Sequence, residues 1–189
     1  MQVTEVFYPQ NRKEWRDWLT EFHVSDKSEI WLRFFKKETK KPTISYDEAV
    51  EEALCFGWID GIAKSFDAQS FVQRFTPRRK KSFLSELNRQ RIWKLQKLGL
   101  MTQAGVEPIK DQIGSPGDPF EIPQSILQAL QADEKVWQNF QNYSIFYQRL
   151  RIGFILECIK QRPDEAQKRL EYLIKMTAQN KKYGTSVEF

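Results

Sequence analysis

The stretch FGWIDGIAKSFDAQSFVQRFTPRRKKS, residues 56–82, decides how the first half of this chain can fold. Asp60 and Gly61 form a turn signal near its start. Beyond them, SFVQRF (residues 70–75) alternates side chains as a strand does, and Pro77 ends that strand. The stretch therefore predicts a turn and a strand that lead into a cationic loop.

Helical and strand patterns precede this stretch. Apolar rings recur at helical spacing over residues 11–22, which predicts a first helix. Residues 30–37 are rich in β-forming side chains and predict another strand. Ser45 and Glu48 have the spacing of a capping box, and the helix that they open ends near Gly57. Together these patterns predict a small antiparallel sheet with packed helices.

Glycine and proline mark the clearest boundary in the chain. Residues 113–123, IGSPGDPFEIP, hold two glycines and three prolines. Beyond this linker, residues 124–182 show only helical patterns, and residues 183–189 are expected to be a frayed tail. We therefore predict an α+β protein, with an α+β unit over residues 1–112 and a helical C-terminal unit.

Positive charge is concentrated in one part of the chain. The net charge is +5, from 30 lysines and arginines against 25 acidic residues. Residues 73–97 hold nine of these cations and one acid, Glu86, so this block carries +8 (9 − 1). Such an excess attracts anions, but it does not choose among phosphate, nucleic acid and an acidic protein.

Several classes of chemistry have no support in the sequence. The chain has one histidine, His23, and no spacing typical of a metal site or of a glycine-rich phosphate loop, so we predict no catalytic residue, metal or cofactor. Cys55 and Cys158 lie in apolar helical contexts and are expected to be reduced core thiols. The N-terminus does not resemble a signal peptide, and no apolar run is long enough to span a bilayer. We expect a cytoplasmic protein with no membrane insertion.

The first candidate site surrounds the predicted turn. Arg74, in a half-buried strand, needs an anionic partner because an unpaired buried charge is unfavourable. One interpretation is an ion pair between Arg74 and Asp60 that locks the turn to the sheet. The other is a small anion-binding cleft floored by Trp58. Both stay open at this point.

The loop TPRRKKS extends this candidate site. Arg78 and Arg79 supply forked donors for phosphate or carboxylate, and Ser82 supplies a hydroxyl. The backbone of the loop and the start of the next helix could hold such a group jointly. Asn88, on an apolar stripe of that helix, is expected to pin the loop onto it. The alternative is a solvated basic loop.

Two further hypotheses concern the residues that follow. Arg89, Trp93 and Lys97 recur every four residues and would form a stacking platform for nucleic acid, unless Trp93 packs under the C-terminal helices. An enzyme could use Asp60 or Glu86 as acid or base, which requires a carboxylate that opens into a pocket.

Four motifs in sequence order resemble one known family. They are YDEAVEEALCFGWIDG (residues 46–61), RFTPRRKKS (74–82), LNRQR (87–91) and GLMTQAG (99–105), and they look like the YdeI/OmpD-associated family, also labelled bacteriocin-protection proteins. The C-terminal half is similar to the family's helical region. Two segments depart from the family pattern: FLS at residues 83–85, where Trp-Ser is common, and PDEA at 163–166, where an arginine is common.

The resemblance implies a small cytoplasmic bacterial protein linked to envelope stress or bacteriocin tolerance, and it carries over no catalytic residue. We therefore expect a non-enzymatic binding or stress-protection protein with a cationic cleft for an anionic small molecule or an acidic segment of a partner. The residues expected to form this cleft are Trp58, Asp60, Arg74, Arg78, Arg79, Ser82 and Asn88.

Overall fold

The computed structural model describes residues 2–80 and 82–187, which fall into two compact units. The first unit comprises the described residues up to 83 together with residues 95–113. The second comprises residues 84–94 together with the described residues from 114 onward. The domain boundaries expected from the linker at residues 113–123 stay a prediction.

A four-stranded mixed sheet lies at the centre of the first unit. Its strands are β1 (Val6–Phe7), β2 (Ile30–Phe35), β3 (Trp58–Asp67) and β4 (Ser70–Pro77), arranged in the order β1-β2-β4-β3. β4 pairs antiparallel with both β2 and β3, and the short β1 pairs parallel with β2. The predicted small antiparallel sheet is confirmed, with one parallel edge strand added.

The turn predicted at Asp60 and Gly61 is wrong. Both residues lie within β3, where the pairing with β4 shifts between Asp60 and Ala63. Such an irregularity inserts an extra residue into a strand without reversing it. The chain instead reverses after Asp67, whose Oδ1 accepts hydrogen bonds from the backbone N of Gln69 at 2.9 Å and from the Ser70 hydroxyl at 2.7 Å. The Asp67 side chain thus stabilises the turn by hydrogen bonds to the residues that follow it, a role that aspartate often has in turns.

Two capped helices cover one side of the sheet, α1 (Arg12–Phe22) and α2 (Tyr46–Cys55). The predicted capping box of α2 is present, and hydrogen bonds from Ser45 hold the pKa of Glu48 below its usual value. Trp15 of α1 is fully buried and donates its indole N–H to the Ala49 carbonyl at 3.0 Å. Its ring centroid lies 5.6 Å from that of Phe75, which joins α1, α2 and β4 in one aromatic core.

Close backbone packing fixes the end of α2. The Cys55 carbonyl accepts hydrogen bonds from the backbone N of Thr102 at 3.1 Å and from its hydroxyl at 2.7 Å. Thr102 also caps α4 (Gln103–Val106), which brings Gly105 directly against the main chain of Cys55. The first unit is completed by two 3₁₀ turns (Lys37–Thr39 and Glu107–Ile109) and by α5 (Lys110–Ile113).

Helices alone build the second unit. α3 (Glu86–Lys97) contributes residues 86–94, and the others are α6 (Gln124–Gln131), α7 (Glu134–Gln141), α8 (Ile145–Leu156) and α9 (Pro163–Ala178). Residues of α6–α9 and of the segments between them form one core: Ile126, Leu130, Val136, Phe140, Tyr143, Tyr147, Ile152, Ile155, Cys158, Ala166 and Leu173. The predicted α+β class with a helical C-terminal part is confirmed.

The expectation of a frayed tail is corrected for its first residues. The Tyr147 hydroxyl on α8 accepts a hydrogen bond from the backbone N of Tyr183 at 2.9 Å. The Arg151 guanidinium donates to the Thr185 carbonyl at 2.9 Å. Tyr183 also packs edge-on against Tyr172, with ring centroids 4.8 Å apart, so residues 183–185 are bound to the helices. Residues 188 and 189 of the expected tail lie outside the described residues.

Candidate functional site

Trp58 belongs to the core. Its side chain is 1% exposed and meets Trp18 edge-on, with ring centroids 5.6 Å apart. Its indole N–H points at the His23 carbonyl, 3.4 Å away. The expected role of Trp58 as a stacking floor for a ligand is therefore wrong, because neither face of the indole is open at the surface.

The ion pair expected between Arg74 and Asp60 is also wrong. Directly opposed residues of antiparallel strands point to the same face, and Asp60 is opposed to Phe75, so Arg74 points to the other face. There the Arg74 Nε lies 2.6 Å from the Glu29 carboxylate. A hydrogen bond from Thr4, together with Arg74, lowers the pKa of Glu29. The charge of Arg74 is thus already paired with a carboxylate of the protein, that of Glu29.

Asp60 has a different partner. Its Oδ2 accepts a hydrogen bond from the Tyr46 hydroxyl at 2.6 Å. Asp60 is half-buried, and the ring of Tyr46 is exposed. This hydrogen bond links the start of β3 to the first residue of α2, and it therefore stabilises the fold.

Arg78 is the buried cation of the candidate site. Its side chain is 8% exposed, and its Nη2 donates to the Phe83 carbonyl at 2.7 Å. Its backbone N donates to the Gly57 carbonyl at 2.7 Å. Its Nε has no hydrogen-bond partner within the described part of the chain. Burial lowers the pKa of Arg78, and the Asp60 carboxylate counteracts that effect.

The rest of the loop is open. Arg79 and Lys80 are exposed, while the Ser82 hydroxyl donates to the Arg79 carbonyl at 2.9 Å and so closes the turn. The Ser82 carbonyl accepts from the Gln112 amide at 3.1 Å. Lys80 borders a cavity of about 530 Å³ whose other lining residues are Glu107, Pro108, Lys110, Asp111 and Gln112. Arg78, Arg79, Lys80 and Ser82 form what we call the cationic loop; Lys81, between them, lies outside the described residues.

Asn88 does not make the loop contact that was expected of it. Its Oδ1 accepts a hydrogen bond from Arg91, 3.0 Å away and one turn further along α3. Its backbone N donates to the hydroxyl of Ser85, the residue before the helix, at 3.2 Å. Asn88 is half-buried, and these two hydrogen bonds join it to the first turns of α3 and to the residue before the helix.

On the helix face expected to bind nucleic acid, the aromatic ring needed for base stacking is buried. Trp93 is 4% exposed, and its indole N–H donates to the Gly114 carbonyl at 3.3 Å. The guanidinium of Arg149 lies 4.9 Å from the Trp93 ring centroid. The alternative, in which Trp93 packs under the C-terminal helices, is confirmed. Lys97 is exposed, and Arg89 contacts Glu86 at 2.7 Å.

Glu86 is fully engaged, which argues against an acid or base role. Its carboxylate is 6% exposed and accepts from Arg149 at 3.0 Å, from Arg89 at 2.7 Å and from Gln90 at 3.2 Å.

Residues 2–80 and 82–187 bring together no group of three or more His, Cys, Asp or Glu that could hold a metal ion. Within the same residues, every helix is too short or too polar to cross a membrane.

Both thiols are buried and free, as expected, and one of them allows a test. Burial, helped by the nearby Glu52 carboxylate, raises the pKa of the Cys55 thiol to about 11. Because the thiolate is the reactive species, native protein at pH 8 should react with Ellman's reagent at least about 100-fold more slowly at Cys55 than unfolded protein does. A Cys158→Ala variant isolates this signal. Equal rates with and without denaturant would contradict the buried position of Cys55.

Some candidate residues were not anticipated from the sequence. Gln90, Phe146, Tyr147, Lys182 and Tyr183 line a cavity in the second unit. Of these residues only Gln90 lies in a motif, LNRQR, and Tyr183 belongs to the tail that was expected to be frayed. Their grouping depends on how residues 182–187 lie against α8, which is a tertiary feature.

Two family matches cover most of the chain. Residues 7–108 match the family described as Domain of unknown function (DUF8412), and residues 119–180 match the family described as Bacteriocin-protection, YdeI or OmpD-Associated. The second match confirms the resemblance stated above, while the motifs at residues 46–105 fall within the first. No curated protein matches the chain. No solved structure matches it either.

Proposed function

Because the chain belongs to the family described as Domain of unknown function (DUF8412) over residues 7–108, and is of the YdeI or OmpD-associated type over residues 119–180, we propose a function in binding. The protein is a cytoplasmic, non-enzymatic binding protein with a protective role in stress. It takes an anionic group, from a small molecule or from an acidic segment of a partner, at the cationic loop.

One observation carries this proposal. Arg78 is buried, yet among the described residues its guanidinium donates only to the backbone carbonyls of Phe83 and Ser82, and its Nε has no partner there. A buried cation without a paired anion is unfavourable, as the lowered pKa of Arg78 also indicates. The Asp60 carboxylate offsets this penalty only in part, so an anion bound at the loop would stabilise the cation further.

The neighbours of Arg78 favour the same ligand. Arg79 and Lys80 are exposed, so both can reach an anion at the surface, where Lys80 also interacts with the Glu107 carboxylate. Arginine binds carboxylate or phosphate through two parallel donors, and lysine adds a point charge. The revised site is therefore smaller than the cleft expected from the sequence: Arg74 is neutralised by Glu29, and Trp58 lies in the core.

Calorimetric titration with inorganic phosphate and with a short polyglutamate peptide tests the proposal and separates its two ligand sources. Arg79→Gln/Lys80→Gln should weaken binding of the preferred probe by about tenfold or more, equivalent to about 1.4 kcal/mol. Both residues are exposed, so the fold is expected to persist.

The matched control is Lys37→Gln/Lys40→Gln, which removes two exposed charges from the same unit. It should change the affinity less than about twofold, because salt screens the interaction between these two lysines and an anion at the cationic loop. Absence of binding by the wild type, or an equal loss in the control, would show that the loop is only a solvated basic segment.

A further inference from the structure

A second cavity lies wholly within the C-terminal unit. It has a volume of about 560 Å³ and is lined by residues of α3 and α8 and by residues 182–187. Small-molecule sites in proteins typically have volumes of this order. Phe146, Tyr147, Leu150 and Tyr183 supply an apolar and largely aromatic wall.

Gln90 holds the wall of this cavity in place. The side chain is 0% exposed, and its Nε2 donates to the Phe146 carbonyl at 2.8 Å and to the Glu86 carboxylate at 3.2 Å. Both neighbours are acceptors, which fixes the orientation of the amide. Because the whole side chain is closed to solvent, Gln90 positions Phe146 and makes no direct contact with a ligand.

The cavity is also electropositive. Lys182 lines it, with its ammonium 5.5 Å from the Tyr147 ring centroid. Behind the wall, Arg151 is buried, with its guanidinium 5.2 Å from the Tyr147 ring and 4.9 Å from the Tyr183 ring. Its bond to the Thr185 carbonyl supplies no negative charge. None of the described residues that line the cavity is an aspartate or glutamate, so the charge that these residues present to a ligand is positive.

We propose that this cavity binds a small organic anion that has an apolar, aromatic body. The apolar body packs against the rings of Phe146, Tyr147 and Tyr183. The anionic group faces Lys182. This site lies in a different unit from the cationic loop and does not depend on the function proposed for that loop.

Fluorescence titration with 8-anilinonaphthalene-1-sulfonate tests the proposal, because this probe combines aromatic rings with a sulfonate. The wild type should bind one equivalent with saturation. Lys182→Met keeps the apolar stem and should weaken this binding by about tenfold, while binding of the uncharged N-phenyl-1-naphthylamine changes less than about twofold.

Lys168→Met, on the exposed side of α9, is the matched control and should leave both affinities unchanged. Methyl NMR spectra locate the bound probe: the Leu150 signals should shift on titration, whereas those of Val136 on α7 should not. The proposal is overturned by a wild type that does not bind the sulfonate, or by Lys182→Met acting equally on the charged and the uncharged probe.

Discussion

Substituting Gly105 with alanine is expected to lower the free energy of unfolding by about 3 kcal/mol, the upper end of what overpacking usually costs. A Cβ at this position would lie 2.6 Å from the carbonyl carbon of Cys55 and 2.7 Å from the Leu54 carbonyl oxygen, and closer still to the Cys55 oxygen. These are main-chain atoms at the end of α2, held there by two hydrogen bonds from Thr102. Neither side can move without breaking that anchor.

Urea denaturation followed by tryptophan fluorescence measures this effect, and Gly99→Ala is its control. Gly99 has a φ of +68°, and a methyl group added there would meet no atom within 4 Å, so alanine should cost only about 1–2 kcal/mol from the left-handed backbone. If Gly105→Ala were no more destabilising than Gly99→Ala, the close contact between α2 and α4 would be refuted.

Glu86→Gln is expected to destabilise the protein by about 3 kcal/mol, although the substitution preserves shape. The Arg149 guanidinium that it would leave without an anion is itself 4% exposed. Water therefore cannot replace the lost charge, and the cation would remain buried beside neutral groups. The backbone of Gly153 also passes close to the Glu86 side chain, so the site has little room to rearrange.

The exposed pair of Glu107 and Lys110, whose charged atoms lie 2.7 Å apart, provides the comparison, since Glu107→Gln should cost less than about 1 kcal/mol. A double variant, Glu86→Leu/Arg149→Leu, should recover part of the loss, because replacing a buried ion pair by apolar side chains is often neutral. A similar, small loss from Glu86→Gln and Glu107→Gln would mean that the interior pair is better hydrated than its burial indicates.

Features set by local chemistry were predictable from the sequence. The capping box at Ser45 and Glu48, the strand from Ser70 to Pro77 and the helix that begins at Pro163 depend on residues a few positions apart. The helical character of the second half also followed from periodicity. These signals need no knowledge of how distant segments pack.

The candidate site was less predictable because its partners are distant in sequence. Arg74 pairs with Glu29, 45 residues away, and strand register alone decides which face Arg74 occupies. The Asp-Gly pair at residues 60–61 is a turn signal set by two neighbouring residues. The actual reversal at Asp67 depends on β3 extending to its full length. Burial of the Trp58 indole likewise results from packing against Trp18, which no local pattern encodes.

The sharing of α3 between the two units bears on any attempt to dissect this protein into separately expressed pieces. Severing the chain at the Pro/Gly-rich segment would keep Glu86, Gln90 and Trp93 on one fragment, while Arg149, Phe146 and Gly114 went to the other. The C-terminal fragment would thus lose a helix that completes its own interior. Useful fragments must instead retain residues 84–94 together with everything from Gly114 onward.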